Sequence, residues 1–330
     1  MSIIEFTDRG IYCPAGDFYV DPWRPVARAV ITHAHADHAR FGHDAYLATP
    51  ISAAVMRHRL GDIRIDTQPF GTPRQIGGAR VSFHPAGHVP GSAQIRIDVG
   101  GQIAVISGDY KLEQDGLSQP FEPLRCHSFV SECTFGLPAF RWPNAQDTFA
   151  AMAQWQADNR TEGKLSILTA YGLGKAQRLI QGLAPLGLPI FTHAAVENTN
   201  EILRNCGVDV PATHRLDTRS PTDDLPAGII IAPPAAADSA ALRKLGPCRV
   251  GFASGWMALR GIRRRRGVDR GFVMSDHADW PALNTAIAAT GAQNVYVTHG
   301  YTEVFSKWLN DAGYNASVVP TEFGGDEDTE

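Results

Sequence analysis

The chain has few cysteines, and they form no recognisable pairs. Its five cysteines are scattered and odd in number, and none stands in a Cys-x-x-Cys motif. This pattern provides neither a disulfide framework nor a thiolate zinc site. Scattered reduced thiols are typical of the cytosol, so we expect a cytoplasmic protein.

Long hydrophobic runs are also missing. The most apolar stretch, Ala227–Ala237, is about half as long as the ~20-residue run that a membrane span needs, and it contains two adjacent prolines. The first ten residues do not show the basic segment and apolar segment of a secretory leader. We therefore expect no membrane association.

Neither positive nor negative charge is in large excess. The 330 residues include 30 Lys and Arg and 34 Asp and Glu, for a formal net charge of −4. A polyanionic partner would therefore need a local basic patch. Segment 260–270 contains six arginines and has the electrostatic character of a nucleic-acid contact, with a basic solvated turn as the alternative. The candidate substrate-binding residues in this segment are Arg263, Arg264, Arg265 and Arg266.

The chain shows two successive patterns of secondary structure. Up to about Ser131, short β-rich runs separated by Gly and Pro predict a sandwich-like system of sheets. One helix interrupts them at about 51–60, with Pro50 well placed at its start. After Phe135, strands alternate with helices, which predicts βαβ units on a parallel sheet. Among them we predict a strand at 165–169, a helix at 175–183 and a helix from Val196 to Asn205. The fold class is therefore α/β.

The change in pattern also predicts the domain organisation. We place an α/β lobe at 139–272, inserted between an N-terminal part at 1–138 and a C-terminal part at 273–330. The acidic end, 324–330, is expected to be disordered because it has little apolar surface to bury.

The clearest chemical signal follows the apolar run 29–32. The sequence His-Ala-His-Ala-Asp-His places four potential metal ligands within six residues, where a strand end delivers a loop. Imidazole nitrogen combined with carboxylate oxygen suits zinc, with manganese and iron as competitors. A solvated polar loop is the simpler alternative. The ligand candidates are His33, His35, Asp37 and His38.

Two further loops have the same character. Gly-His-Val-Pro-Gly-Ser at 87–92 precedes a predicted strand, and Ser-Gly-Asp-Tyr at 107–110 follows one. Either loop alone would usually be structural. Because His88 and Asp109 follow the histidine cluster in order and at intervals typical of one domain, we interpret the three segments together as one metal site.

The order of these motifs resembles the metal motifs of the metallo-β-lactamase fold. Asp21 resembles the first, structural aspartate of that fold. Segments 131–136, 275–279 and 297–300 resemble three motifs of its β-CASP branch, and 171–177 resembles a helix start in β-CASP caps. The likeness covers about 10 to 320. It is greatest to the bacterial ligase-associated DNA exonucleases, through GIYCPAGDFYVDPWRPV and SGWM…RGFVMSDHADW.

The resemblance implies an αββα metallo-β-lactamase sandwich with an inserted β-CASP α/β cap domain. It implies two divalent metal ions, with Zn²⁺ expected and Mn²⁺ as the alternative. In the implied ligand sets, the first ion is bound by His33, His35 and His88, the second by Asp37, His38 and His299, and both by Asp109.

The resemblance also implies phosphodiester hydrolysis by a metal-activated hydroxide, to which Asp37 and Asp109 contribute as ligands. The family activity would be 5′-to-3′ DNA exonuclease digestion of single strands or DNA ends, in DNA repair together with a DNA ligase. A leaving alkoxide needs a proton, and His277 is the candidate general acid, with Glu132 orienting it. The alternatives are that His277 is another metal ligand and that Glu132 only supports a ligand.

Lys175 lies in a glycine-rich segment but does not belong to a nucleotide-binding loop. A Walker motif would need Gly at Thr169 and Ser or Thr at Ala176, so we expect no nucleotide cofactor. Gly172–Lys175 could instead contact a backbone phosphate at a helix N-terminus.

Three other functions are weighed against a DNA exonuclease. A β-CASP ribonuclease is the main rival, because His299 stands where eukaryotic DNA-repair members commonly have valine. A small-molecule hydrolase is disfavoured by the α/β lobe, Glu132, His277 and the arginines at 260–270. A non-catalytic scaffold is disfavoured because every ligand position is intact.

Overall fold

The computed structural model describes residues 2–219, 224–237, 239–265 and 267–321, without the side chains of 263–265. The side chains of the four arginines predicted to contact substrate, and the acidic end predicted to be disordered, lie outside the described residues. No described helix has both the length and the apolar character that crossing a membrane requires.

The chain divides into two units. The first takes its described residues from Met1–Gln114, Ser118–Pro138 and His277–Thr329, and the second takes them from Asp115–Leu117 and Ala139–Asp276. The described strands are β1 Glu5–Phe6, β2 Ile11–Cys13, β3 Phe18–Val20, β4 Ala29–Val30, β5 Tyr46–Ala48, β6 Ile65–Thr67, β7 Arg74–Ile76, β8 Ala79–Pro85, β9 Ala93–Val99, β10 Gln102–Ile106, β11 Ser128–Cys133, β12 Leu165–Thr169, β13 Ile190–Thr192, β14 His214–Arg215, β15 Ile229–Ala232, β16 Cys248–Ala253, β17 Arg270–Phe272, β18 Asn294–Gly300 and β19 Asn315–Val318.

Helices accompany both units. The described α-helices are α1 Pro50–Leu60, α2 Ala145–Thr161, α3 Lys175–Leu183, α4 Ala194–Asn205, α5 Pro234–Ala237, α6 Ala240–Arg243, α7 Arg260–Arg265, α8 Trp280–Thr290 and α9 Thr302–Asp311. Short 3₁₀ helices occur at Ala184–Leu186, Leu225–Ala227 and Gly255–Ala258. Together with the strands they confirm the predicted α/β class.

The helix predicted at 51–60 is present as α1. Thr49 caps its first turn by accepting a hydrogen bond from the Ser52 amide, and Pro50 stands at the first helical position. The helix ends at Gly61, whose φ of 76° suits glycine.

The first unit contains two sheets that enclose an apolar core. One sheet has the order β1-β2-β3-β4-β5-β6, and the other has the order β19-β18-β11-β10-β9-β8-β7. Buried side chains from β2 to β5 pack with buried side chains from β8 to β11, among them Phe18, Val30, Phe83 and Ile95. On the other face of the second sheet, α8 and α9 cover a second core that includes Phe129.

Parallel pairing within these sheets brings several strand ends to a common edge. β3, β4, β5 and β6 are parallel neighbours in the first sheet. β10, β11, β18 and β19 are parallel neighbours in the second. Loops that follow the carboxyl ends of such strands are the usual place for a binding site.

The second unit is built around one parallel sheet. Its strand order is β14-β13-β15-β12-β16-β17, and every pairing among these strands is parallel. This confirms the parallel sheet that the strand–helix alternation predicts. Its core includes Ile167, Phe191, Ile230 and Leu242.

A buried carboxylate organises one side of the second unit. Glu197 lies in the first turn of α4 and is buried. The residues that donate hydrogen bonds to its two oxygens are Thr192, Asn200, Arg204 and Thr213. Burial opposes the charge, but these donors outweigh it and lower the pKa of Glu197 to about 2.

We expect Glu197→Gln to lower the free energy of unfolding by about 1.5–3 kcal/mol at neutral pH, because a charged acceptor of several hydrogen bonds is lost. The pKa of Glu197 in the folded protein lies below the usual value of ~4.3. The ionised carboxylate therefore stabilises the fold at any pH above ~4.3. The stabilisation is lost as pH falls towards 2. Urea unfolding from pH 7 to pH 3 should show less acid sensitivity in the variant.

Glu201→Gln is the matched control, because Glu201 lies on the same helix but forms an exposed ion pair with Arg215. It should change stability by less than about 1 kcal/mol. Equal effects of the two substitutions would contradict the special role of Glu197.

Candidate metal centre

The predicted ligands lie in loops that follow strand ends in the first unit. Asp21 comes directly after β3, and His33 comes three residues after β4. Asp109 comes three residues after β10, whereas His299 lies near the end of β18. Because the strands within each set run parallel, these loops emerge at a shared edge of their sheets.

Asp21 stabilises the loop that follows β4 and carries His33 to His38. Its carboxylate accepts hydrogen bonds from the Thr32 amide at 2.8 Å and the Thr32 hydroxyl at 2.5 Å. The same carboxylate lies 2.7 Å from Nδ1 of His38, which leaves Nε2 of that imidazole as its ligand atom. Asp21 has a positive φ of 42°, a conformation that aspartate tolerates better than most residues. The structure thus gives Asp21 the contacts of a support residue.

The potential ligand atoms form groups that could each hold a metal ion. Within each group these atoms lie no more than 4.8 Å apart. The groups are His33, His35, His88 and Asp109; Asp37, His38 and His299; and Asp109, Glu132 and His277. The first group contains the four residues that the family resemblance implies for the first ion, and the second contains those implied for the second ion apart from Asp109. Their role as metal ligands stays a prediction.

Asp109 lies between the first two groups. Its Oδ2 is 3.5 Å from Nε2 of His33, 3.7 Å from Nε2 of His88 and 3.4 Å from Nε2 of His38. Its Oδ1 is buried and makes no hydrogen bond within the part of the chain that the structure describes. A buried carboxylate oxygen of this kind fits a cation. The nitrogen and oxygen donors suit Zn²⁺ and also allow Mn²⁺.

The charges of the groups around Asp109 favour the binding of a cation. Burial lowers the pKa of His33 well below its usual value, so that imidazole is neutral and able to act as a ligand. Burial also opposes charge on His38, but Asp109, Asp37 and Asp21 outweigh it and raise its pKa well above the usual value. Despite burial, the neighbouring imidazoles hold the pKa values of Asp37 and Asp109 below the usual range. Both carboxylates are therefore anionic at neutral pH.

Glu132 and His277 form a buried pair beside Asp109. Nδ1 of His277 lies 2.8 Å from Oε2 of Glu132. The other carboxylate oxygen, Oε1, accepts a 2.8 Å hydrogen bond from the Tyr110 amide. The pair has the geometry of a carboxylate that orients a histidine and stabilises its protonated form. Because both residues also belong to a group that could hold metal, the general-acid role stays a prediction.

His299 reaches the second ligand group through an unusual backbone. It has a positive φ of 55°, and its Nε2 lies 3.7 Å from Oδ2 of Asp37. A Cβ on Gly300 would lie 2.4 Å from the Cys133 carbonyl oxygen, so only glycine fits there. The Cys133 thiol in turn donates a hydrogen bond to the His299 carbonyl at 2.9 Å.

Lys175 lies in the second unit, at the start of α3. Its side chain is buried, with the ammonium group 4.7 Å from the centre of the Tyr171 ring. The adjoining glycine segment is fixed by Gln177, which accepts a hydrogen bond from the Gly174 amide and donates one to the Gly172 carbonyl. Lys175 as a phosphate contact stays a prediction.

Sequence reasoning did not identify Thr32 and Tyr110 as support residues. Thr32 acts through both its amide and its hydroxyl, and Tyr110 acts through its amide. Thr32 stands directly before the histidine cluster, so its position was the available signal. A backbone amide such as that of Tyr110 leaves no signal in the side-chain sequence.

The fold and the ligand groups define a mixed α/β protein with a candidate two-metal centre. No family model matches the chain. Over 313 residues it is 29% identical to a protein of Opitutus terrae named probable DNA ligase, an alignment that covers 94% of this chain and 30% of that protein. Endoribonuclease ysh1 of Aspergillus fumigatus is 29% identical over 119 residues, covering 35% of this chain and 13% of that protein.

RNase aCSPSF2 of Saccharolobus solfataricus is 26% identical over 123 residues, which cover 36% of this chain and 25% of that protein. The chain thus spans less than a third of the length of each of these relatives. These likenesses support the broader resemblance to β-CASP proteins of the metallo-β-lactamase fold.

A solved structure from Enterococcus faecalis V583, described as a protein of unknown function, has a similar fold. It gives a TM-score of 0.58 at 10% sequence identity, and the match covers 90% of this chain and 80% of that chain. At this identity the likeness concerns the fold alone.

Proposed function

We propose that this chain is a two-metal-dependent nuclease of the β-CASP branch. The observation that carries the proposal is the place of Asp109. Its carboxylate belongs both to a histidine-rich ligand group and to the group that contains Glu132 and His277. A metal-binding carboxylate beside a histidine–carboxylate pair is suited to hydrolysis in which a leaving oxygen needs a proton.

In this proposal residues 1–138 and 273–330 form the metallo-β-lactamase domain, and residues 139–272 form the β-CASP cap. These bounds differ from those of the two units at 115–117 and 273–276. His33, His35 and His88 would hold one divalent ion, and Asp109 would hold both. The second ion would be held by Asp37, His38 and His299. When bound, the ions would lower the pKa of a water molecule and neutralise charge on the phosphodiester.

The chain's own groups would manage orientation and the proton. Asp21 and Thr32 fix the direction of the His38 imidazole through its Nδ1 side. Glu132 stabilises a proton on His277 and holds that ring in one orientation. The protonated Nε2 of His277 would then donate to the leaving oxygen.

We further propose that the substrate is DNA and the reaction is 5′-to-3′ exonuclease digestion in repair. The likeness to a protein named probable DNA ligase supports this, because it extends over 94% of this chain. That alignment leaves most of the relative's own length outside it, which fits a functional association with a DNA ligase. The arginines at 260–270 would bind backbone phosphates without sequence preference.

A ribonuclease is the second candidate. It is favoured by relatives named endoribonuclease ysh1 and RNase aCSPSF2. His299 also favours it, because RNA-processing members of the branch have histidine at this position, where eukaryotic DNA-repair members commonly have valine.

The two candidates are separated by digesting one oligonucleotide sequence in deoxyribose and ribose form, labelled at either end, with Zn²⁺ or Mn²⁺ supplied in turn. We expect DNA to be digested faster, with a 5′ label released first as a mononucleotide and a 3′ label retained on shortening fragments. A chelator should abolish both signals. Faster digestion of RNA would favour the ribonuclease, and a metal-loaded protein that cleaves neither polymer would contradict the nuclease proposal.

A further inference from the structure

Arg59, on the last turn of α1, contacts the loop that carries three of the candidate ligands. Its Nη1 donates a hydrogen bond to the Ala34 carbonyl at 2.5 Å, and its Nη2 donates one to the Ala39 carbonyl at 3.0 Å. The residues between these two carbonyls include His35, Asp37 and His38. One guanidinium group therefore joins the two ends of the ligand loop.

We propose that Arg59 is a positioning residue that holds this loop, 34–39, in the shape that presents its ligands to metal. The inference rests on the metal centre of the proposed function. A guanidinium is planar and presents its donors in a fixed fork, so it sets the separation of the two carbonyls that it bridges. A lysine ammonium is a compact point charge and cannot fix that separation in the same way.

Other contacts also restrain the loop, including the 2.7 Å contact of His38 with Asp21. Within it, the Ala39 amide donates to the His35 carbonyl at 2.8 Å. Arg40, at the end of the loop, donates from Nε to the Asp37 carbonyl at 3.1 Å. Arg59 differs from these residues because it belongs to a separate helix, whose N-terminus is fixed by the Thr49 cap. It therefore couples the loop to a rigid element, which favours precise ligand geometry.

The test is a calorimetric titration of the metal-free full chain with Zn²⁺ alone, for the wild type, Arg59→Met and Arg59→Lys. We expect both variants to raise the dissociation constant for Zn²⁺ by about 10–100-fold, the range for partners that orient metal ligands. Because Arg59 acts on ligand placement, saturating Zn²⁺ should restore kcat for DNA digestion while the metal concentration at half-activity stays raised.

Arg57→Met is the matched control. Arg57 lies on the same helix and donates a hydrogen bond to a carbonyl, that of Ile65 at 3.2 Å, outside the ligand loop. It should leave Zn²⁺ affinity unchanged even if it lowers the melting temperature. Arg59→Lys keeps the charge and most of the stem, so it should fold even if Arg59→Met does not.

Wild-type Zn²⁺ affinity in Arg59→Lys would overturn the proposal, because it would show that the two-carbonyl fork is not needed. Equal losses of affinity in the Arg57 and Arg59 variants would also overturn it by revealing a general effect of helix stability. A wild type that binds Zn²⁺ but cleaves no nucleic acid would refute the proposed function and leave Arg59 to be decided by the titration. A wild type that binds neither Zn²⁺ nor, in a second titration, Mn²⁺ would overturn both.

Discussion

His277→Ala is expected to lower nuclease turnover by about 10²–10⁴-fold while two metal ions remain bound. The range is that of a positioned general acid, and it follows from the 2.8 Å contact of His277 with Glu132. The ligand groups around His33 and His38 do not need His277 to be complete. Single-turnover rates and metal content per chain, measured on the same preparation, check the two halves of the prediction.

His58→Ala provides the control for that substitution. His58 lies on α1 and is exposed, so its loss should change neither turnover nor metal content. If His277→Ala loses one metal ion, the general-acid role is wrong and His277 is a ligand within the group that includes Asp109 and Glu132. A leaving group that needs no proton should be cleaved by the variant at close to the wild-type rate if the role is correct.

The parts of the fold that the sequence predicts well are those governed by local pattern. The strand predicted at 165–169 and the helix predicted at 175–183 have the same bounds in the structure. The helix predicted from Val196 begins at Ala194 instead, because the His193 side chain caps it by accepting a hydrogen bond from the Ala195 amide. Histidine is not among the preferred capping residues, so this start has no clear sequence signal.

Local sequence patterns predict only some of the residues in the candidate metal centre. His33, His35, Asp37 and His38 are crowded within one loop, and their residue types alone indicate metal. Asp37 and His299 are in contact although they lie far apart in the sequence. His299 reaches the site because its strand, β18, pairs with β11 in the second sheet of the first unit. No local pattern predicts such a contact, and only the family resemblance did so.

Arg59 shows a further limit of sequence reasoning. It looks like an ordinary arginine near the end of a short helix, and its partners are carbonyl groups, which every residue has. Side-chain patterns reveal ligands because ligand chemistry selects particular residue types. Contacts to the backbone select a position in space instead, and that position depends on how α1 packs against β5 and β6.

Asp109→Asn is expected to remove at least one metal ion and to lower turnover by more than about 100-fold. Asparagine keeps the shape of the side chain but removes the negative charge from a carboxylate that lies within 3.7 Å of the Nε2 atoms of three imidazoles. The loss should exceed the ~10–100-fold effect of residues that act only by orienting a ligand. Excess Zn²⁺ should not restore turnover, in contrast to its expected effect on the Arg59 variants.

Metal content by elemental analysis and turnover at increasing Zn²⁺ concentration test this prediction. Asp66→Asn is the control, because it makes the same chemical change in an exposed ion pair with Arg74 and should leave both quantities unchanged. A fully metal-loaded and active Asp109→Asn protein would refute the bridging role. Retention of one ion with loss of turnover would agree with the prediction. It would show that hydrolysis needs the carboxylate that connects the two groups, since Asp109 lies close to both.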